Sequence, residues 1–358
     1  MQIGQILQVI TDNDLRGGQI FAADLHRALE ALGQNVRTVA LAPAQRERAL
    51  NFEVLGPSRR HPRTFRELRR AIGASDVVVG HGSTTLPMCA MASRGIQVPF
   101  VYRQISEQRF WANTPCRRLR TRTALRTADH VVALWSGASE VLQSDFRVPP
   151  TNISVIPNGV PAERCPPLDD DARRGARERF GLDLHRPVLL SLGAFAPEKG
   201  VDTLVRAMAE PELDGWQLLL VGAGPEQGNL ESLAKEAPPR SIVFHEPVAS
   251  GAEAVAAADV IGLTSRGGDS MPAVLIEAGM MGVPGVATPI EGIVDIVRDG
   301  VTGRIVSIDD PAGTATAVRD VGERSGQFGS AAKEHCLDRF EIAGVAHQWL
   351  QTLVRIGS

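Results

Sequence analysis

Two acidic residues, Asp269 and Glu277, stand eight positions apart in the stretch 264–284, TSRGGDSMPAVLIEAGMMGVP, on either side of Pro272. Turn residues precede the proline and an apolar run follows it. The pattern predicts a helix beginning near Pro272, a residue suited to a first turn. Asp269 then lies in the loop before the helix and Glu277 about one and a half turns inside it, so the two carboxylates do not share a helix face. Proline has no N–H to offer, and the amides of residues 273–275 would face an anion held at that N-terminus. Amides for phosphates and acids for sugar hydroxyls make one coherent site. A plain cap at Asp269 and a solvent-facing Glu277 are the alternative that the spacing leaves open.

Other residues of chemical interest fall at similar places. Gly17 and Gly18 follow an apolar run and open a helical one, where free amides and the helix dipole favour an anion; an ordinary tight turn reads the same way. GAGPEQG (222–228) comes near a dinucleotide fingerprint, but Gln227 stands where its last glycine belongs, which disfavours a nicotinamide-dependent dehydrogenase. His81 follows the run DVVV and precedes Gly82, an imidazole beside a flexible loop, although a lone histidine is also an ordinary packed residue. Arg103 ends the next apolar run and could face the same cleft. Lys199, in PEKG, enters a helix start as a compact cation suited to phosphate.

These residues need elements that carry them to one place. IGQILQVIT, the polar turn DNDLRGG and QIFAADLHRALEALGQNV read as strand, loop and helix, with Phe21, Leu25, Ala28, Leu29 and Leu32 recurring at steps of three and four and Gly33 at the C-terminal stop. The unit repeats at DVVVGHG (76–82) with a helix over 84–94, at VPFVYR (98–103) with 115–127, and at DHVVAL (129–134) with 136–144; ISVIPNGV (153–160) is a final strand. Residues 161–187 break the rhythm and read as a linker with a short charged helix. A second series follows: PVLLSLG with a helix over 200–209, WQLLLVG with 225–236, SIVFH with 250–257 and ADVIGLT with 273–281. Continuous apolar strands indicate parallel sheets covered on both faces. At 358 residues the chain exceeds the usual single core. The expected fold class is therefore α/β, with two doubly wound sheets, and ligands bind at the carboxyl ends of such strands.

Composition narrows the setting. No segment approaches 18 uninterrupted apolar residues, so a membrane span is not expected. The N-terminus lacks the basic region of a signal peptide, and the expected location is cytoplasmic. Cys89, Cys116, Cys165 and Cys336 show no metal-ligand spacing and are expected to be reduced thiols. The net charge is −3, yet residues 1–163 carry 20 arginines, no lysine and 13 acids. The arginines concentrate in RERALNFEVLGPSRRHPRTFRELRR (46–70) and RRLRTRTALR (117–126). Such stretches suit a phosphate-bearing partner or the anionic inner face of a membrane, or they are a solvated face.

Taken in order along nearly the whole chain, the GG loop, DVVVGHG, VIPNGV, LGAFAPEKGVDTLVRAM, LLLVGAGPE, VFHEPV, ADVIGLTS, the acid pair with EAGMMGVPGVAT, and EGIVDIVRDGVTGRIV resemble the retaining glycosyltransferases of family 4, with the GT-B fold. The resemblance implies two Rossmann-like domains facing across a cleft: an acceptor-binding domain over 1–163, a nucleotide-sugar-binding domain over 164–340, and a last helix, 341–358, crossing back onto the first. It implies that Gly17 and Gly18 let a loop approach the donor diphosphate, that His81 lies beside the donor sugar, and that Lys199 stabilises the departing diphosphate. Glu277 would bind the ribose and Asp269 the sugar hydroxyls. Met271, Ala273 and Val274 would supply amides, and Gly222, Gly224 and His245 would line the base pocket. Ala194 stands where relatives carry an arginine, so Arg103 or Arg266 is expected to contribute a phosphate or acceptor contact. Asp269 is one methylene shorter than the usual glutamate, and Pro161 replaces an acid. The implied reaction is retaining, metal-independent and cofactor-free transfer of a hexose or N-acetylhexosamine, from a UDP-sugar by preference, to a hydroxyl of a lipid-linked glycan or small metabolite. No nucleic-acid partner is implied. A degenerate sugar-nucleotide binder and a sugar-nucleotide epimerase are the alternatives.

Overall fold

A computed structural model describes residues 3–45, 48–105 and 112–357. Arg46 and Glu47, which open the first arginine-rich stretch, lie outside the described residues. The chain forms two compact units, Met1–Val160 with Glu341–Ser358, and Pro161–Phe340.

The first unit is built on a parallel sheet of β1 (Ile6–Asp12), β2 (Val36–Ala42), β3 (Glu53–Val54), β4 (Val77–His81), β5 (Phe100–Arg103), β6 (His130–Ala133) and β7 (Ile153–Val155), in the order β3-β2-β1-β4-β5-β6-β7. β1 and β4 pair in register Val9 to Gly80. Their residues are buried because helices cover both faces, which is why valine and isoleucine fill these runs without alternation. The helix Gly17–Ala31 buries Phe21, Leu25 and Leu29 along one stripe and stops at Gly33, whose φ of +76° is left-handed. The last helix, Ile342–Gly357, packs Ile342, Val345, Trp349 and Leu353 into the same core as Phe21, Leu25 and Val79. Gly159 lies against Ile342, where a Cβ would come within 3.0 Å of the Ile342 backbone. The chain can therefore return only over a glycine.

The second unit contains β8 (Val188–Leu192), β9 (Gln217–Val221), β10 (Ile242–His245), β11 (Val260–Leu263), β12 (Gly285–Ala287) and β13 (Gly303–Ile305), also parallel, in the order β10-β9-β8-β11-β12-β13. Its core gathers Leu189, Leu204, Leu218, Leu220, Val260, Val318 and Phe328. In each sheet the strand order reverses beside the first strand, between β1 and β4 and between β8 and β11, and such switch points open a crevice at the strands' carboxyl ends. The remaining helices that matter below are Pro62–Gly73, Leu86–Ala92 and Pro115–Leu125 in the first unit and Ala273–Met280 in the second. Among the described residues no helix is long and apolar enough to cross a membrane.

Candidate functional site

In the second unit the loops after β8 and β11 are knitted together. The short turn Pro197–Lys199 ends at Gly200, with φ of +59°, and a Cβ there would lie 2.1 Å from the Thr264 carbonyl oxygen. Thr264 Oγ1 donates to the Gly200 carbonyl at 2.8 Å, and the Arg266 amide donates to the Glu198 carbonyl at 2.8 Å. The result places Lys199 Nζ in direct contact with Asp269 Oδ1, while Ser265 Oγ donates to Asp269 Oδ2. The side chains are sheltered, 28% exposed for Lys199 and 11% for Asp269. A residue expected to hold phosphate and one expected to hold sugar hydroxyls thus begin as an ion pair.

The helix that follows starts at Ala273, and Pro272 is its cap at φ −70° and ψ 122°, one step earlier than the expected first-turn position. The Leu275 amide already donates to the Pro272 carbonyl at 3.2 Å, so Ala273 and Val274 carry the open first-turn amides. Met271 is buried beside them. Glu277 accepts from Arg164 Nη1 at 3.1 Å and is only 13% exposed, so it is not the solvent-facing residue that spacing allowed.

Arg266, expected as a phosphate or acceptor contact, is already engaged within the unit. Its guanidinium is divided among Asp309 at 2.6 Å, Asp202 at 2.8 Å and the Pro197 carbonyl at 2.8 Å. Hydrogen bonding to Asp202 foremost, and also to Asp309, raises its pKa against the opposing effect of burial. Gly222 and Gly224 have a backbone role. A Cβ at Gly222 would lie 1.8 Å from the Gly193 carbonyl oxygen, and one at Gly224 2.2 Å from that of Phe195, so the turns after β8 and β9 touch only without side chains. His245 ends β10 with its ring edge-on to Phe180, centroids 4.8 Å apart, and Nδ1 at 2.8 Å from the Glu246 carbonyl oxygen.

In the first unit a cavity of about 630 Å³ opens at the carboxyl ends of β1, β2 and β4. Gly18, His81 and Gly82 line it, together with Asp12, Asp14, Arg16, Gln19, Arg59, Ser83 and Thr84. Asp12 is a buried acid at the end of β1; it accepts from Gln19 Nε2 at 2.9 Å and from Arg16. Sequence reading treated DNDLRGG as a polar turn and missed these groups. Their signal was an acid placed directly after an apolar strand and before the glycine pair.

His81 reaches this cavity, but its ring is committed elsewhere. Gln8 Nε2 donates to the Ala22 carbonyl at 3.2 Å and to Thr38 Oγ1 at 3.3 Å, which turns Gln8 Oε1 toward His81 Nε2 at 2.8 Å. His81 is therefore the neutral tautomer with hydrogen on Nε2, and its Nδ1 faces Arg103 Nη1 at 3.4 Å. Burial, and then the Arg103 charge, push its pKa well below the ordinary range. A ring held in this way is neutral and fixed in orientation in the folded state.

Arg103 does not face the cavity as expected. It is fully buried, its guanidinium carbon stacked 3.8 Å from the Phe21 ring centroid and Nη2 donating to Asn158 Oδ1. Burial lowers its pKa to about 9. Inward placement removes it from the set of anion contacts.

Residues 15–164 match the family described as "Glycosyltransferase Family 4" and residues 186–323 match "Glycosyl transferases group 1", together more than half of the chain. A Mycolicibacterium smegmatis protein named GDP-mannose-dependent alpha-(1-6)-phosphatidylinositol monomannoside mannosyltransferase is 29% identical over 79% of this chain and 80% of its own. A D-inositol 3-phosphate glycosyltransferase of Geodermatophilus obscurus is 34% identical over 58% of this chain, and the match spans about half of that relative's length (48%). The crystal structure of Anabaena HepE in complex with UDP shares the fold at a TM-score of 0.84 and 19% identity, covering 98% of this chain and all of that one. Two parallel Rossmann-like sheets, two matched halves and this likeness agree, and the chain belongs to the family 4 glycosyltransferases of GT-B fold.

Proposed function

We propose that the chain is a retaining, metal-independent transferase that moves a hexose or N-acetylhexosamine from a nucleoside diphosphate sugar to a hydroxyl of a lipid-linked glycan or small metabolite. The observation that carries this reading is the Lys199–Asp269 pair at the β8/β11 switch point, beside the open amides of Ala273 and Val274. When the anomeric C–O bond breaks, its electrons remain on the phosphate oxygen and negative charge grows on the diphosphate. Lys199 and the two amides supply a cation and aligned dipoles for that charge. Asp269, relieved of Lys199 by the arriving diphosphate, accepts hydrogen bonds from sugar hydroxyls, and Glu277 serves the ribose. Neither acid is the nucleophile. The acceptor oxygen forms its bond on the face the leaving group vacates and gives its proton to the departing phosphate oxygen. The cavity of the first unit, with its serine, threonine and carboxylate groups, takes the acceptor.

A UDP-sugar is the preferred donor, on the commonness of uridine donors in the family. GDP-mannose is a second reading, favoured by the name of the Mycolicibacterium relative. Calorimetric titration of UDP, GDP, ADP and TDP without added metal, followed by NMR of the product's anomeric configuration, tests both. One selectively bound diphosphate and a product with the donor's configuration are expected. Binding of none, or an inverted product, refutes the reading, and binding without transfer points to a non-catalytic sugar-nucleotide binder.

A further inference from the structure

We propose that the helix Pro115–Leu125 docks the protein on an anionic lipid surface. This helix, PCRRLRTRTAL, carries Arg117, Arg118, Arg120 and Arg122, with Arg126 directly after it and no acid. Every residue from Asn113 to Arg120 is exposed, and Leu125 is the one buried residue of the helix. Arg118 with Arg122, and Arg122 with Arg126, are like charges four residues apart, which weakens a helix standing alone.

The structure separates the two arginine-rich stretches. In the first, Arg66 and Arg70 pair with Glu67, and Arg69 bridges the carbonyls of Ala92 and Arg94, both at 2.8 Å. In the second, among the described residues, Arg117 reaches Asn113 Oδ1 and Arg118 the Ala112 carbonyl, and Arg120, Arg122 and Arg126 meet no acid. The first stretch has Glu67 to offset part of its charge and Arg69 engaged by the fold, whereas among the described residues the arginines of the second meet no acid.

Apolar exposure accompanies that charge. Leu119, on this helix, is 67% exposed, and Met91, on the helix Leu86–Ala92 packed against it, is 52% exposed. An interfacial helix uses both kinds of group, apolar side chains at the acyl boundary and arginines at the phosphates. Arginine stems can lie along the apolar layer while their heads stay with the headgroups. A nucleic-acid duplex would satisfy the arginines but leave Leu119 and Met91 in water, so the lipid surface is the better match.

The docking surface does not depend on the transfer reading, and its test uses no sugar donor. The full chain is floated with vesicles of phosphatidylcholine alone and of phosphatidylcholine with phosphatidylglycerol, at low and high salt. Binding to the anionic vesicles that falls with salt is expected. Changing Arg118, Arg120 and Arg122 together to Gln should weaken partition about a hundredfold, at roughly fivefold per arginine. Removing like charges from an exposed helix leaves the fold intact, which thermal melting followed by circular dichroism checks. The matched change of Arg63, Arg66 and Arg70 to Gln should weaken partition much less, and Leu119→Ser should weaken it without altering its salt dependence. Equal binding to neutral vesicles, no binding to anionic ones, equal loss from both triple variants, or displacement from vesicles by an RNA duplex would each overturn the proposal.

Discussion

Replacing Asp269 with asparagine should tighten nucleoside diphosphate binding and at the same time suppress transfer. In the ligand-free structure Lys199 Nζ is held by Asp269 Oδ1, and both side chains are mostly sheltered from water. A charge-assisted hydrogen bond of this kind contributes about 1.5–3 kcal/mol, and an incoming diphosphate has to take the lysine from it. Asparagine keeps the shape but removes the competing charge. Part of the pair's energy, about 1–2 kcal/mol, then returns to the ligand, roughly a five- to thirtyfold lower Kd. Lys199→Ala should act oppositely, losing the same class of contact to the phosphate and raising Kd by about 10–150-fold. Transfer falls in both variants, because Asp269→Asn also removes the carboxylate that would hold the sugar. Calorimetry with the diphosphate that binds best, together with single-turnover transfer, reads both quantities. Weaker diphosphate binding by Asp269→Asn would mean that the acid orients the lysine for phosphate instead of competing with it, and the proposed release of Asp269 would be wrong.

Two further outcomes concern the first unit. Trp349 is fully buried against the core that contains Phe21, Leu25 and Val79, so Trp349→Ala should destabilise that unit by about 3–5 kcal/mol; a urea transition with an unchanged midpoint would contradict the packing. Two buried histidines should make the unit acid-sensitive. Burial foremost, and Arg103 second, depress His81, and burial with Arg355 second takes His130 to about 4. Both therefore stay neutral in the folded state, while the unfolded chain takes up protons below a pKa of about 6.5. Their contribution to stability is intact above pH 6.5 and is lost as pH falls toward 4, with a slope of about 1.4 kcal/mol per pH unit for each histidine. Urea midpoints measured from pH 7 to 5 should fall accordingly and should fall less in His130→Asn; a flat profile for the wild type would refute this.

The strands that sequence made legible are those buried on both faces, such as Val77–His81 and Val188–Leu192, where an unbroken apolar run has one reading. Strand β2 was passed over because Arg37 and Thr38 interrupt its pattern, and β3, β12 and β13 are two or three residues long, too short for periodicity to register. At the site, sequence could place His81 and Arg103 at strand ends but could not give the fate of their side chains. That depended on Gln8, a polar residue inside an apolar strand, whose amide is turned by Ala22 and Thr38 so that its oxygen meets His81. Lys199 and Asp269 stand 70 residues apart, and only the strand order β9-β8-β11 brings their loops together.

The turn after β8 carries Ala194 where the resemblance implies an arginine. Arg266 is near that turn, but its amide holds Glu198 and its guanidinium joins the Pro197 carbonyl to Asp202 and Asp309. It is the brace of the loop that carries Lys199, and a brace with two carboxylates adds no net positive charge for a ligand. Gly200 serves the same end, since its left-handed backbone lets that loop lie against Thr264. On the proposed reading, the second unit thus fixes its one diphosphate cation, Lys199, accurately. Accurate placement is the more useful property where the charge to be stabilised develops only as a bond breaks, because an oriented group pays no reorganisation energy at that moment.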